Sequence, residues 1–401
     1  LEIYHYGEHP LKRGKLNWEL KDGKGEDEET LSGRFAGVIR RACEQSGRGV
    51  VVLVDEYDKP LLQALDDGAL LDDYRKTLKA FYGVLKSSDR YLRFVFLTGV
   101  TKFGKVSVFS DLNNLDDISM RKDYVEICGV SDQELHDTLD AELHEFADVR
   151  GVTYDKLCAE LKECYDGYHF THNSIGMYNP FSLLNAFKYR EFGSYWFEMG
   201  TPTYLVKLLQ NHHYDLERMT HEETDAQVLN SIDSESTNPI PVIYQSGYLT
   251  IKGYDEEFGM YRLGFPNREV EEGFVRFLLP YYANVNKVES PFEIQKFVRE
   301  VRSGDYSSFF RRLQSFFADT TYEVIRDQEL HYENVLFIVF KLVGFYTKVE
   351  YHTSEGRIDL VLQTDKFIYI MEFKLNGTAE EALQQINDKH YALPFEMDEF
   401  V

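Results

Sequence analysis

The sequence predicts an α/β protein in three regions: a parallel-sheet module over residues 1–130, a mostly helical middle over 131–285, and a second α/β domain over 286–401. Three observations lead there. Two apolar runs, Val50–Val54 and "LRFVFLTGV" at 92–100, flank an amphipathic stretch, the pattern of a strand–helix–strand unit with parallel, buried strands. Between 131 and 165, Leu135, Leu139, Leu143 and Phe146 recur at helical spacing. Near the C-terminus, "GRIDLVLQTDKFIYIMEFKL" (356–375) reads as two apolar strands divided by a polar break.

Residues 1–30 are polar and poorly periodic, with a charged run at 21–29. From residue 31, Phe35, Val38, Ile39 and Ala42 mark a helix that Gly47 stops. The run Val50–Val54 ends in Asp55-Glu56, and Pro60 marks a turn or helix start. An acidic pair at the end of a buried strand is where nucleotide-dependent enzymes hold magnesium, although such acids also serve as ordinary strand-end caps. Ser131, with Glu134 three residues on, has capping-box spacing for the next helix. Asp117 and Asp123 read as loop acids. The short strands "GYLTIKGYD" and "MYRLGFP" belong to a small linking module within 201–285. Residues 289–317 read as helical. Arg302, Arg311, Arg312, Lys341 and Lys348 form the best available basic patch, with solvated helix faces as the simpler reading.

Strand alternation has period two, so Ile368, Ile370, Glu372 and Lys374 share one face while Phe367, Tyr369, Met371 and Phe373 share the other. The break Gln363-Thr364-Asp365-Lys366 lets the strands pair as a hairpin, bringing Asp359 beside Glu372. Two hard oxygen ligands with a neighbouring ammonium suit a magnesium-dependent phosphodiesterase, whose metal polarises the phosphoryl group and lowers the pKa of a bound water. A salt bridge of Lys374 with Glu372 or Asp359 on a solvated sheet face accounts for the same residues without catalysis. Beyond the hairpin, Thr378 and Glu381 have capping-box spacing before Ala382, Leu383 and Ile386.

Asp359, a gap of twelve residues and Glu372-Phe373-Lys374 resemble the signature of the PD-(D/E)XK nuclease superfamily. The resemblance implies that Asp359 and Glu372 bind Mg2+ or Mn2+, that Lys374 activates water or contacts phosphate, and that Gln385 and Tyr391 touch substrate. It also implies an additional helix acid, for which Glu329 and Glu333 both remain open. Upstream, "VVVLVDEYDKPL" and "FLTGVTKFGKVSVFSDLNNLDDIS", with "CYDGYHF", "YQSGYLTIKGY" and "LGFPNREV", resemble a bacterial AAA-ATPase-like family that often carries a C-terminal nuclease domain of this kind. That likeness implies ATP as ligand, with Asp55 and Glu56 at the Walker B position and Thr98 at a sensor-like strand end.

No GxxxxGK[ST] loop precedes Val50, and "GVTKFGKV" (99–106) places Val106 where a metal-binding hydroxyl is required. Without that loop, ATP hydrolysis by these residues is not expected. The leading function is therefore a metal-dependent nuclease acting on nucleic acid, DNA first, joined to an incomplete ATPase-like module that regulates it. The alternatives are a non-catalytic nucleotide-sensing or interaction protein, and an ATPase whose phosphate loop lies outside this chain.

The 401 residues carry a net charge of −24, so any nucleic-acid face must be a local basic patch. The 29 Phe and 28 Tyr argue for packed globular domains. Cys43, Cys128, Cys158 and Cys164 lie at irregular spacing, consistent with a reducing compartment and a cytoplasmic location. Cys158, Cys164, His169 and His172 have no standard zinc spacing and read as core. No apolar run is long enough for a membrane helix, and no signal-peptide pattern opens the chain. The chain begins without Met and stops where another strand could start, so it reads as a fragment. Oligomeric state stays open.

Overall fold

The computed structural model describes residues 3–5, 12–14, 30–64, 67–100, 108–109, 112, 114–198, 203–230, 238–283, 285–286, 288–317, 328–354, 357–374 and 377–389. The chain forms two compact units, Leu1–Ile118 with Asn230–Ser236, and Ser119–Leu229 with Thr237–Val401.

In the first unit, β1 (Ile3–His5) and β2 (Lys12–Gly14) pair antiparallel. Helix α1 (Leu31–Ser46) starts where the Thr30 hydroxyl accepts from the Gly33 amide. It stops at Gly47, which takes φ 64° and donates to the Cys43 carbonyl. Glycine enters that left-handed conformation without the Cβ penalty of other residues. The chain then runs through β3 (Val50–Val54), α2 (Gly68–Ser87) and β4 (Leu92–Leu97), with β3 and β4 parallel as the apolar runs predict. The rings of Phe35 and Phe81 stack 4.4 Å apart between α1 and α2.

The expectation that both strands are buried needs correction. Val51, Leu53 and Phe94 are 53%, 71% and 54% exposed. The helices cover the face bearing Val50, Val52 and Val54, and among the described residues nothing covers the other. A continuous apolar run therefore behaves here as an alternating strand.

In the second unit, β5 (Val130–Ser131) leads into α3 (Asp132–Arg150), followed by α4 (Tyr154–Tyr165), β6 (Met177–Tyr178) and α5 (Pro180–Tyr189). Ser131 and Glu134 form the expected capping box. Leu135, Leu143 and Phe146 are buried with Leu157, Leu161 and Leu183. Leu139 leaves helical geometry at a kink (φ −118°) and is only partly buried.

Strands β7 (Glu223–Asp225), β8 (Thr250–Asp255) and β9 (Met260–Gly264) make an antiparallel sheet in the order β7-β9-β8. The register of β8 on β9 slips between Ile251 and Gly253, leaving Lys252 as a bulge. Then follow α6 (Arg268–Tyr282), α7 (Ser290–Ser303), α8 (Tyr306–Phe317) and α9 (Gln328–Gly344). Helix α9 is apolar on every side from Val335 to Phe340 because that stretch is enclosed, with Leu342 and Val343 fully buried beyond it. Among its described side chains the buried polar one is Asn334, which accepts from the Leu216 amide at 2.8 Å and donates to the Tyr214 carbonyl at 3.0 Å. The chain continues as β10 (Lys348–Ser354), β11 (Arg357–Gln363), β12 (Ile368–Lys374) and α10 (Ala379–Asp388), the three strands being antiparallel in that order. Leu205, Ile251 and Leu279 share one continuous core with Phe309, Phe340 and Leu362, across residue 285.

Candidate active site

The hairpin forms where the sequence places it. The Thr364 amide donates to the Phe367 carbonyl at 2.8 Å, and the Phe367 amide donates to the Thr364 hydroxyl at 2.9 Å, closing the turn. The register pairs Asp359 with Glu372 and Arg357 with Lys374. Residues directly opposite in an antiparallel ladder have Cβ atoms about 4.5–5.5 Å apart. Strand β10, which sequence reasoning missed, sets His352 opposite Asp359 on the other side. The alternation in "KVEYHTS" was the signal available for it.

The supporting face is apolar. Leu360, Leu362 and Met371 are buried, the Phe373 ring lies 5.9 Å from that of Phe340 on α9, and the Tyr369 hydroxyl donates to the Val301 carbonyl at 2.7 Å. Glu372 belongs to the opposite register set. Both its carboxylate oxygens are screened from solvent, and the residue is engaged inside the fold. A carboxylate withdrawn from water needs a cationic or donor environment to stay ionised. The side chains of Asp359, Lys374 and Glu329 lie outside the described part of the structure, as does Tyr391 altogether.

Helix α10 starts as expected: the Glu381 amide donates to the Thr378 hydroxyl, and the Thr378 amide donates to the Glu381 carboxylate at 2.8 Å. It packs on β12, with Ala382 buried and Gln385 half-buried. Glu333 on α9 is half-buried and engaged in the fold.

In the first unit, the structure brings Asp55 and Thr98 together. The Thr98 hydroxyl donates to the Asp55 carboxylate at 2.5 Å, and the Thr98 amide donates to the Val54 carbonyl at 2.8 Å. Glu56 takes a left-handed backbone (φ 52°), uncommon for a non-glycine residue, and turns outward to pair with Lys59 at 2.7 Å. Sequence reasoning missed Asp58, which is wholly buried and accepts from the Val100 amide at 3.1 Å. A Cβ on Gly99 would meet Asp58 at 2.8 Å and Tyr57 at 2.6 Å, so this approach requires glycine. Gly104, Lys105 and Val106 of the incomplete phosphate loop lie outside the described residues.

Three members of the basic patch expected near the hairpin are engaged within the fold, while Arg311 and Lys348 are exposed. Arg312 is held by Glu293 and Glu300, both at 2.5 Å, Lys341 pairs with Glu271 at 2.8 Å, and Arg302 donates to the Tyr346 carbonyl. The cysteine–histidine group points in separate directions. His169 Nδ1 bonds the Ser174 carbonyl, the His172 ring stacks on Tyr254 at 4.5 Å, and burial pushes the Cys164 thiol up to about 12.

Comparison with known proteins bears on both ends of the chain and, through one relative, on most of its length. A family model described as a predicted AAA-ATPase matches residues 5–109, and one described as the PD-(D/E)XK nuclease superfamily matches 327–399. A protein of Azotobacter chroococcum mcd 1, described as an uncharacterized protein in the vnfD 5' region, is 35% identical over 373 residues, covering 90% of this chain and 69% of the relative. The chain belongs to the AAA-ATPase-like family with a C-terminal PD-(D/E)XK nuclease superfamily domain. The nuclease-superfamily segment takes in α9, the three-stranded sheet and α10; the ATPase-like segment takes in β3, β4 and the Asp55–Thr98 contact. No solved structure matches the chain. Among the described residues, no helix is long and apolar enough to cross a membrane.

Proposed function

We propose that the C-terminal domain is a metal-dependent nuclease that hydrolyses phosphodiester bonds in nucleic acid, with DNA as the first candidate substrate. The observation carrying this reading is the direct pairing of Asp359 with Glu372, together with the screening of both Glu372 carboxylate oxygens from water. The donor set fits Mg2+ or Mn2+: two hard carboxylates on adjacent strands, one of them already removed from competing solvent. When bound, the metal polarises a phosphoryl oxygen and lowers the pKa of a coordinated water.

The remaining work falls to the protein. Asp359 and Glu372 hold the ion, and their rigidity comes from Leu360, Leu362 and Met371 packed behind them. Lys374, two residues beyond Glu372, is assigned to the attacking water or the scissile phosphate. Gln385 on the capped helix α10 is assigned to substrate contact, and Glu329 or Glu333 on α9 to a further acidic role. In the ATPase-like module, Asp55, Glu56 and Thr98 are assigned to a nucleotide and its metal. The Asp55–Thr98 contact supports that reading, and the nucleotide's role is regulation of cleavage.

The test is digestion of supercoiled plasmid with Mg2+ or Mn2+, comparing the parent with Lys374→Ala. Nicking that disappears in the variant and on chelation supports the nuclease. Equal background from both proteins would discard it in favour of a non-catalytic scaffold.

A further inference from the structure

A second site stands apart from Asp359 and Glu372 and does not depend on the nuclease reading. The sheet β7-β9-β8 and the turn at 216–221 enclose a cavity of about 530 Å³, which Lys252, Arg262, Arg218 and His221 line together with Glu222 and Glu223. In a chain of net charge −24, this is an unusual concentration of cations.

The charges do not cancel pairwise. Arg218 is answered by Glu222 at 3.0 Å, and Glu222 also accepts from the Tyr214 hydroxyl at 2.6 Å, so that group is satisfied. Lys252 hydrogen-bonds a neutral acceptor, the Pro266 carbonyl at 2.9 Å, and the carboxylates of Asp166 and Glu271 act on its charge without an ion-pair contact among the described residues. Arg262 stands opposite the exposed Glu223 in the ladder, yet forms no ion pair or hydrogen bond among the described residues.

Two backbone devices aim these cations. The register slip makes Lys252 the bulged residue, and bulges re-aim side chains. Gly253 leaves room for Arg262 to lie across β8: a Cβ there would sit 2.6 Å from its Nη2. Gly253 keeps the strand open for the Arg262 guanidinium, and the bulged Lys252 lines the same cavity, so the two cations border one space of a size for an anion. Lysine contributes a compact charge and arginine a planar fork, so together they satisfy a three-oxygen dianion better than a two-oxygen carboxylate.

We propose that this cavity binds a phosphoryl group, carried either by a mononucleotide or by the phosphorylated end of a nucleic-acid strand. The cavity shares Thr220 with a neighbouring one of about 350 Å³ that reaches Lys341, Gly344 and Val349, at the root of β10. The phosphoryl group would thus be held on the flank of the nuclease-superfamily domain.

The test is equilibrium binding to the full chain with three probes: inorganic phosphate, ATP, and a fluorescent single-stranded oligonucleotide with or without a 5′-phosphate. The parent should bind a phosphorylated probe, and Arg262→Ala or Lys252→Met should weaken it roughly tenfold to a hundredfold. Gly253→Ala keeps both charges and displaces only the end of Arg262, so its loss of affinity with an unchanged unfolding transition separates aiming from folding. Preference for the 5′-phosphorylated strand over its unphosphorylated twin, lost in Arg262→Ala, identifies a strand end as the source; ATP binding that Arg262→Ala weakens, without that preference, identifies a nucleotide held here rather than at Asp55. Failure of every probe to bind, or affinities indifferent to all three substitutions, overturns the site.

Discussion

Two strand groups in this molecule present carboxylates in opposite ways. The parallel pair β3–β4 carries Asp55 at an exposed strand end, steadied by the Thr98 hydroxyl, and leaves one apolar face bare at Val51, Leu53 and Phe94. The antiparallel trio β10–β12 carries Glu372 within a strand, backed by Leu360, Leu362 and Met371, with both carboxylate oxygens screened from water. Charge interactions weaken as solvent enters, so a cation placed beside the second carboxylate would be held more strongly than one beside the first. Similar sequence cues, an apolar run beside an acid, thus yield one open carboxylate and one enclosed one.

The largest expected effect separates the two on activity. Glu372→Gln should lower metal-dependent nicking at least about a hundredfold, the upper end of what even indirect metal-site substitutions cost. Asp55→Asn should leave ATP-free nicking within about twofold. Equal losses from the two would erase the distinction.

Packing gives the next contrast. Leu362→Ala should destabilise its unit by about 2–5 kcal/mol in urea unfolding, whereas Leu53→Ala should fall within about 0.5 kcal/mol of the parent. A large cost at Leu53 would mean that its face is covered in solution.

Smaller still, Thr378→Ala should cost about 1 kcal/mol by removing the cap of α10. Hydrogen exchange at the start of that helix should rise, while protection in α9 stays unchanged.

The smallest effect concerns His331 on α9, whose pKa burial holds below the ordinary histidine value. The folded state favours the neutral ring, so its contribution is complete above the unfolded pKa of about 6.5 and is lost as pH falls toward the depressed folded value. The urea midpoint of the parent, relative to His331→Gln, should therefore decline between about pH 7 and 5. A constant difference would show that the ring is not screened.

What the sequence made legible was local. Thr378 with Glu381, Ser131 with Glu134, and the stop at Gly47 each rest on contacts within four residues, and all three form as read. The Asp359–Glu372 pairing was legible because a short turn fixes the register of the strands it joins. The errors lie where distant segments meet. Lys341 finds Glu271 seventy positions away, and Arg312 finds Glu293 and Glu300, so two of the five expected patch cations are held in ion pairs. The bare face of β3 was illegible because an apolar run does not say whether a second layer exists to cover it. Lys252 and Arg262 needed the bulge and Gly253 to converge, and neither can be read from composition.

Asn334 carries a mechanical consequence. Its two amide bonds clamp the helix beneath the three-stranded sheet to the backbone at Tyr214 and Leu216, immediately before the turn bearing Arg218 and Thr220. Sliding α9 by a single residue, about 1.5 Å, would break both bonds in a buried setting, where an unmade hydrogen bond is costly. The helix and that turn must therefore shift as one piece, so tension arising at either end is transmitted to the other.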